Sequence, residues 1–148
     1  MIAHRGNTQG PNPECENHPS YIKEALEKGY HAEVDVWLTD KGLFLGHDEP
    51  QWAVDPTFFE FQGLWCHAKN REALEFLIKN GNNCFWHEED RYTLTSNGTI
   101  WAYPGHPAGT TGVQVMPERT KTRPDRTALG ICSDYVVLEK LEEICRDP

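Results

Sequence analysis

The stretch from His31 to Asp40 constrains this chain more than any other. Apolar Ala32, Val34, Val36 and Leu38 alternate with Glu33, Asp35, Trp37 and Thr39. A period of two is the signature of a strand with one buried face. Glu33 and Asp35 then share the other face, about 6.6 Å apart along the strand. Carboxylates at that spacing can converge on one divalent cation. Asp40-Lys41-Gly42 reads as a hairpin loop, with Gly42 in the left-handed position. Pairing Thr39 with Leu43 sets Asp35 opposite His47, and cross-strand partners share a face. The hairpin thus groups Glu33, Asp35 and His47, provided the register does not slip by one residue.

Short β and α segments alternate along the rest of the chain. Met1 to His4 reads as a first strand. Pro19 to Lys28 reads as a helix with Ile22, Ala25 and Leu26 inward and Gly29 behind it. Leu64 to Ala68 is a third parallel strand. Asn70 caps a second helix, with Ala73, Leu74, Leu77 and Ile78 inward. Asn83 to His87 is a strand, and Tyr92 to Tyr103 is a hairpin around Asn97-Gly98. Val113 to Met116 and Ile131 to Tyr135 are strands. Val136 to Arg146 is a closing helix with Val137, Leu138, Leu141, Ile144 and Cys145 inward. The segments 51–63, 105–112 and 118–126 read as loops. The alternation predicts an α/β fold with a parallel sheet, as one domain over residues 1–148. The chain has 148 residues, whereas a full (β/α)₈ barrel takes at least about 200. The alternation fits a parallel barrel or an open α/β sheet, and a barrel of this length, the fold implied by the resemblance given below, is expected to be a reduced TIM-barrel-like one. Loops and hairpins replace several outer helices, mainly between Asp90 and Ser133. Apolar surface left bare would suit a homodimer.

The formal net charge of −9 argues against nucleic acid as a partner. An anionic substrate would have to be drawn by a local site, such as a metal with Arg5 and Lys69. Met1-Ile2-Ala3 runs straight into the first polar motif, so no leader is expected. No apolar run approaches the ~20 residues of a membrane span. Cys15, Cys66, Cys84, Cys132 and Cys145 show no CxxC spacing and read as reduced thiols of a cytoplasmic protein.

Four motifs occur in order: His4-Arg5-Gly6, Glu16-Asn17, Ala32-Glu33-Val34-Asp35-Val36 and Gly46-His47-Asp48. This series resembles the glycerophosphodiester phosphodiesterase family, within the phospholipase-C-like phosphodiesterases built on a TIM barrel. Further on, Gly130 to Tyr135 resembles that family's last barrel strand. Cys66-His67-Ala68-Lys69 stands where the family has Glu-x-Lys. The segment from Phe85-Trp86-His87 to Trp101-Ala102-Tyr103-Pro104-Gly105 has no counterpart there.

The resemblance implies hydrolysis of a small glycerophosphodiester to an alcohol and glycerol 3-phosphate, with one divalent ion of the Mg²⁺, Ca²⁺ or Mn²⁺ kind. It implies that His4 and His47 form the general base and acid pair, and that Arg5 and Lys69 hold the phosphate. Glu33 and Asp35 would be metal ligands, and Glu16 either a ligand or a support behind the ligands. His67 replaces the family's third carboxylate. As a ligand it would favour Mn²⁺, Zn²⁺ or Fe²⁺ over Ca²⁺; otherwise it would hydrogen-bond substrate or Asp35. Two other outcomes stay open at this point. One is a barrel that binds a phosphorylated glycerol or sugar without cleaving it. The other is a lyase that releases a cyclic phosphate. His87 with Glu88, Glu89 and Asp90 reads as a polar turn, and Trp65, Trp86 and Trp101 read as core.

Overall fold

A computed structural model describes residues 1–146. In chain order the elements are β1 (Ile2–Ala3), α1 (Pro19–Glu27), β2 (His31–Thr39), β3 (Gly42–Leu45), β4 (Trp52–Val54), β5 (Leu64–Ala68), α2 (Arg71–Lys79), β6 (Cys84–Phe85), β7 (Tyr92–Leu94), β8 (Ile100–Ala102), β9 (Gly112–Val115), α3 (Pro117–Thr120), β10 (Gly130–Ser133) and α4 (Leu138–Arg146). Short 3₁₀ turns cover His4–Gly6 and Pro56–Glu60.

The helix ends follow local chemistry. Pro19 opens α1, where its missing N–H costs nothing, and the His18 side chain accepts the Ser20 N–H. Asn70 caps α2 by accepting the Ala73 N–H at 3.0 Å. The same amide exchanges two hydrogen bonds with the Leu38 backbone, so the helix start is tied to the end of β2.

Parallel ladders run β6-β5-β2-β1-β10-β9-β8, and β7 closes that end antiparallel to β8. Because β1 covers only the start of β2, the antiparallel β3-β4 arm takes over along Val36–Thr39. This is a mixed α/β sheet. No ladder joins β6 to β7 or β8 among the described residues. Isolated bonds span that interval instead: Ser96 N–H to Cys84 O at 2.8 Å, Cys84 N–H to Ser96 Oγ at 3.0 Å, and Thr93 Oγ1–H to Trp86 O at 2.8 Å.

Two apolar layers form. On one face of β2, Ala32, Val34 and Val36 pack with Ile22 of α1 and with Ala73 and Leu77 of α2. On the other side, Phe85, Trp101, Val113, Val115 and Cys132 form a second cluster with Trp65 against it. The Phe85 and Trp101 rings lie 4.6 Å apart, so strands from the two ends of the sheet meet through their side chains. No described helix is long and apolar enough to cross a membrane.

Several expectations need correction. Thr39 pairs with Gly42, not Leu43, so the turn has two residues and Asp35 lies beside Gly46 rather than His47. Ile78 and Val137, expected inward, are exposed, and Phe76 of α2 packs on the core. The segments read as loops hold β4, a 3₁₀ turn and α3. The Val113 strand begins at Gly112, and the Ile131 strand at Gly130.

Candidate metal and phosphate site

The carboxyl-terminal ends of the parallel strands surround a cleft of about 240 Å³. Four of these strands, β1, β2, β5 and β6, contribute polar groups to it, as expected of α/β sheets. His4 and Arg5 follow β1, and Glu33 and Asp35 project from β2. His67 and Lys69 come from β5 and its end, and His87 lies past β6.

Glu33, Asp35 and His67 form the centre. One ligand atom from each lies within 4.8 Å of the others. His67 Nδ1 sits 3.1 Å from Asp35 Oδ1 and 3.9 Å from Glu33 Oε1. The other ring nitrogen, Nε2, is 2.9 Å from the His87 carbonyl and must donate to it. In the neutral ring this leaves the Nδ1 lone pair aimed at two carboxylates, a tautomer suited to metal ligation. Asp35 is about 1 % exposed, and its Oδ1 has no hydrogen-bond partner. A divalent ion fits this donor set: one imidazole and two carboxylates, one of them with an orphaned buried oxygen.

The rest of the site fixes those groups. Asn17 holds Asp35 twice, donating Nδ2–H to Oδ2 at 2.9 Å and accepting the Asp35 N–H at 2.9 Å. Arg5 Nε lies 3.2 Å and Lys69 Nζ 3.5 Å from Asp35 oxygens. Arg5 is held at φ 51°, unusual for a residue other than glycine. Its N–H donates to Glu33 Oε2 at 3.2 Å and its carbonyl accepts the Asn17 N–H at 3.1 Å, so backbone bonds on both sides sustain that conformation.

Burial alone would raise both carboxyls. Glu33 is raised, first by burial and then by the adjacent Asp35 charge. For Asp35 the His67 ring 3.1 Å from Oδ1, with the Arg5 and Lys69 charges, outweighs burial and holds it well below the usual range.

Glu16 stands apart from the three central residues. Its oxygens accept from Arg5 Nη1 at 3.1 Å and from Asn7 Nδ2 at 2.8 Å. It therefore steadies Arg5.

His4 is 8 % exposed and its Nδ1 lies 2.8 Å from Asp134 Oδ1. That leaves Nε2 for the cleft. Burial lowers the His4 pKa, but Asp134 and the Glu33 charge outweigh it, so the net shift is upward. Asp134 also accepts from Asn7 Nδ2 at 2.8 Å, and its backbone N–H donates to Glu118 Oε1 at 2.9 Å. Sequence reasoning did not single out Asp134 or Asn7 as site residues. The signal for Asp134 was its place just past the last parallel strand.

His47 lines the same cleft by a different route from the one expected. Strand β3 ends at Leu45, and Gly46 adopts φ 151° where a Cβ would run into the Glu49 carbonyl. This bend re-aims His47 after the pairing has ended. His47 Nδ1 lies 2.7 Å from Asp48 Oδ1. Burial, with Arg5 and Lys69, lowers its pKa against the opposing pull of Asp35 and Asp48.

An aromatic wall flanks the centre. Phe85 stacks on His67 at 5.1 Å, and His87 packs 5.2 Å from Tyr103. The middle segment without a counterpart in the resembling family therefore contributes directly to the cleft.

No family model, curated protein or solved structure matches the chain.

Proposed function

We propose that the chain is a metal-dependent phosphodiesterase that hydrolyses a small glycerophosphodiester. The observation carrying this reading is the cluster of Glu33, Asp35 and His67, with His4, His47, Arg5 and Lys69 around the same cleft. Glu33, Asp35 and His67 would hold the divalent ion, which polarises the phosphoryl oxygen when bound. The imidazole ligand favours Mn²⁺ or Zn²⁺ over Ca²⁺.

Arg5 and Lys69 bind non-bridging phosphate oxygens and take up charge developed in the transition state. Water attacks phosphorus and gives its proton to His47. The bond from phosphorus to the alcohol oxygen breaks, and that oxygen takes a proton from His4. The opposed shifts of the two histidines, His4 up and His47 down, suit this division of acid and base. The products are an alcohol and glycerol 3-phosphate.

The same proposal reads the sheet as a reduced barrel. The ladders follow chain order from β1 through β2, β5 and β6, then from β7 through β8, β9 and β10 back to β1. The interval between β6 and β7 is the seam. The five free thiols support a cytoplasmic setting. Tyr92 and Leu94 leave open the apolar surface where a second copy would sit.

The test is hydrolysis of glycerophosphocholine and glycerophosphoethanolamine with EDTA, Mg²⁺, Ca²⁺, Mn²⁺ or Zn²⁺. Metal-dependent turnover that is lost in both His4→Ala and Glu33→Ala is the expected result. Folded, metal-loaded protein without turnover would replace this reading with a phosphate-binding module.

A further inference from the structure

We infer that the cleft takes a substrate carrying a second anionic group, and that Arg119 selects for it. This rests on the phosphodiesterase reading and extends it to the substrate class. Three cationic side chains line the cleft: Arg5, Lys69 and Arg119. Arg5 and Lys69 are committed to Asp35, and Arg5 also to Glu16. Arg119 is exposed and, among the described residues, forms no ion pair and no side-chain hydrogen bond.

Its placement is built by the fold. Met116 is buried at φ 48° and Lys121 lies at φ 52°, so α3 is a single turn bounded by two left-handed residues. Glu118 turns toward β10 and accepts from Ser133 Oγ at 2.8 Å and from the Asp134 N–H at 2.9 Å. With Glu118 pinned, the next residue, Arg119, is presented at the cleft. β9, which precedes it, lies four strands from β5 along the sheet, yet both walls reach the same cleft. Arg119 and Lys69 therefore line the cleft from different walls.

The pairing of the cations gives the ligand chemistry. Arg5 is paired with Glu16 and Asp35, and Lys69 with Asp35, so the cation of the lining left without an ion pair among the described residues is Arg119. A guanidinium fork at that place suits a carboxylate or a second phosphate on the alcohol or glycerol moiety. In a chain of net charge −9, an unpaired cation at this cleft favours anionic over neutral or cationic headgroups.

Glycerophosphoserine and glycerophosphoethanolamine differ by one carboxylate and form the probe pair. Wild type with Mn²⁺ is expected to favour glycerophosphoserine by roughly tenfold or more in kcat/KM. Arg119→Gln should bring that ratio close to one, and Arg119→Lys should retain part of it. Calorimetric titration of both compounds into Mn²⁺-loaded His4→Ala, with and without Arg119→Gln, reads the same preference without turnover. Equal binding of the two compounds, or a preference unchanged by Arg119→Gln, would overturn the inference. A binding preference that depends on Arg119, in a wild type that turns over neither compound, would support the inference and sink only the catalytic reading.

Discussion

Asn17 is the side chain on which the geometry of Asp35 most depends, and its replacement has a calculable cost. The residue is 1 % exposed and sits at φ 62°. In Asn17→Ala the Asp35 N–H loses its acceptor inside the protein. Asp35 Oδ2 keeps Arg5 Nε at 3.2 Å, so one group is stranded rather than two. A stranded buried donor costs about 1–3 kcal/mol. Placing alanine in the left-handed region adds about 1 kcal/mol. The sum, about 2–4 kcal/mol, is a large share of a stability of roughly 5–15 kcal/mol. With a urea m-value of about 2 kcal/mol/M, the unfolding midpoint should fall by about 1–2 M at unchanged m. Asn17→Gly relieves the backbone part and should recover about 0.5–1 kcal/mol relative to alanine. An alanine variant within about 0.5 kcal/mol of wild type would refute the account of how Asp35 is held. So would a glycine variant no better than alanine.

Three further outcomes follow from the same structure. The His4 pKa is raised, so its stabilisation is full below about 6.5, the unfolded value, and is lost as pH rises through the folded value. The Asp134 pKa is lowered against burial by His4 and Asn7, so its contribution is present above about 4 and is lost below that. Urea midpoints of wild type against Asp134→Asn should therefore differ most between about pH 4 and 6.5; an equal difference at pH 9 would be inconsistent with the pair. Gly46→Ala puts a Cβ against the Glu49 carbonyl, and should reduce kcat/KM through His47 more than it reduces stability; unchanged activity would show that the bend does not aim His47. Asn70→Ala removes a helix cap and two bonds to Leu38, and should cost about 1–2 kcal/mol in thermal or urea unfolding, against nearly nothing if the cap is idle.

Much of this architecture was legible because it rests on local rules. The alternation in β2 placed Glu33 and Asp35 on one face, and that is where they lie. Asn70 and Pro19 marked helix starts because capping is settled within a few residues. The hairpin register was not legible: two-residue and three-residue turns both suit Asp40-Lys41-Gly42, and tertiary pairing decided between them. His47 reaches the cleft only through the bend at Gly46, which no periodicity announces. Asp134 and Asn7 became site residues through contacts across 130 and 127 positions, beyond the reach of local patterning. Ile78 fitted the apolar stripe of α2, yet it is exposed, while Phe76 of the same helix packs against Phe59.

The central claim is that Glu33, Asp35 and His67 hold one divalent ion. Calorimetric titration of the metal-free protein with Mn²⁺ tests it most directly, with Glu33→Gln and His67→Ala measured alongside. The account predicts one ion per chain in wild type and an affinity at least roughly tenfold weaker in each variant. Failure of the wild type to bind, or binding that neither substitution weakens, would contradict it.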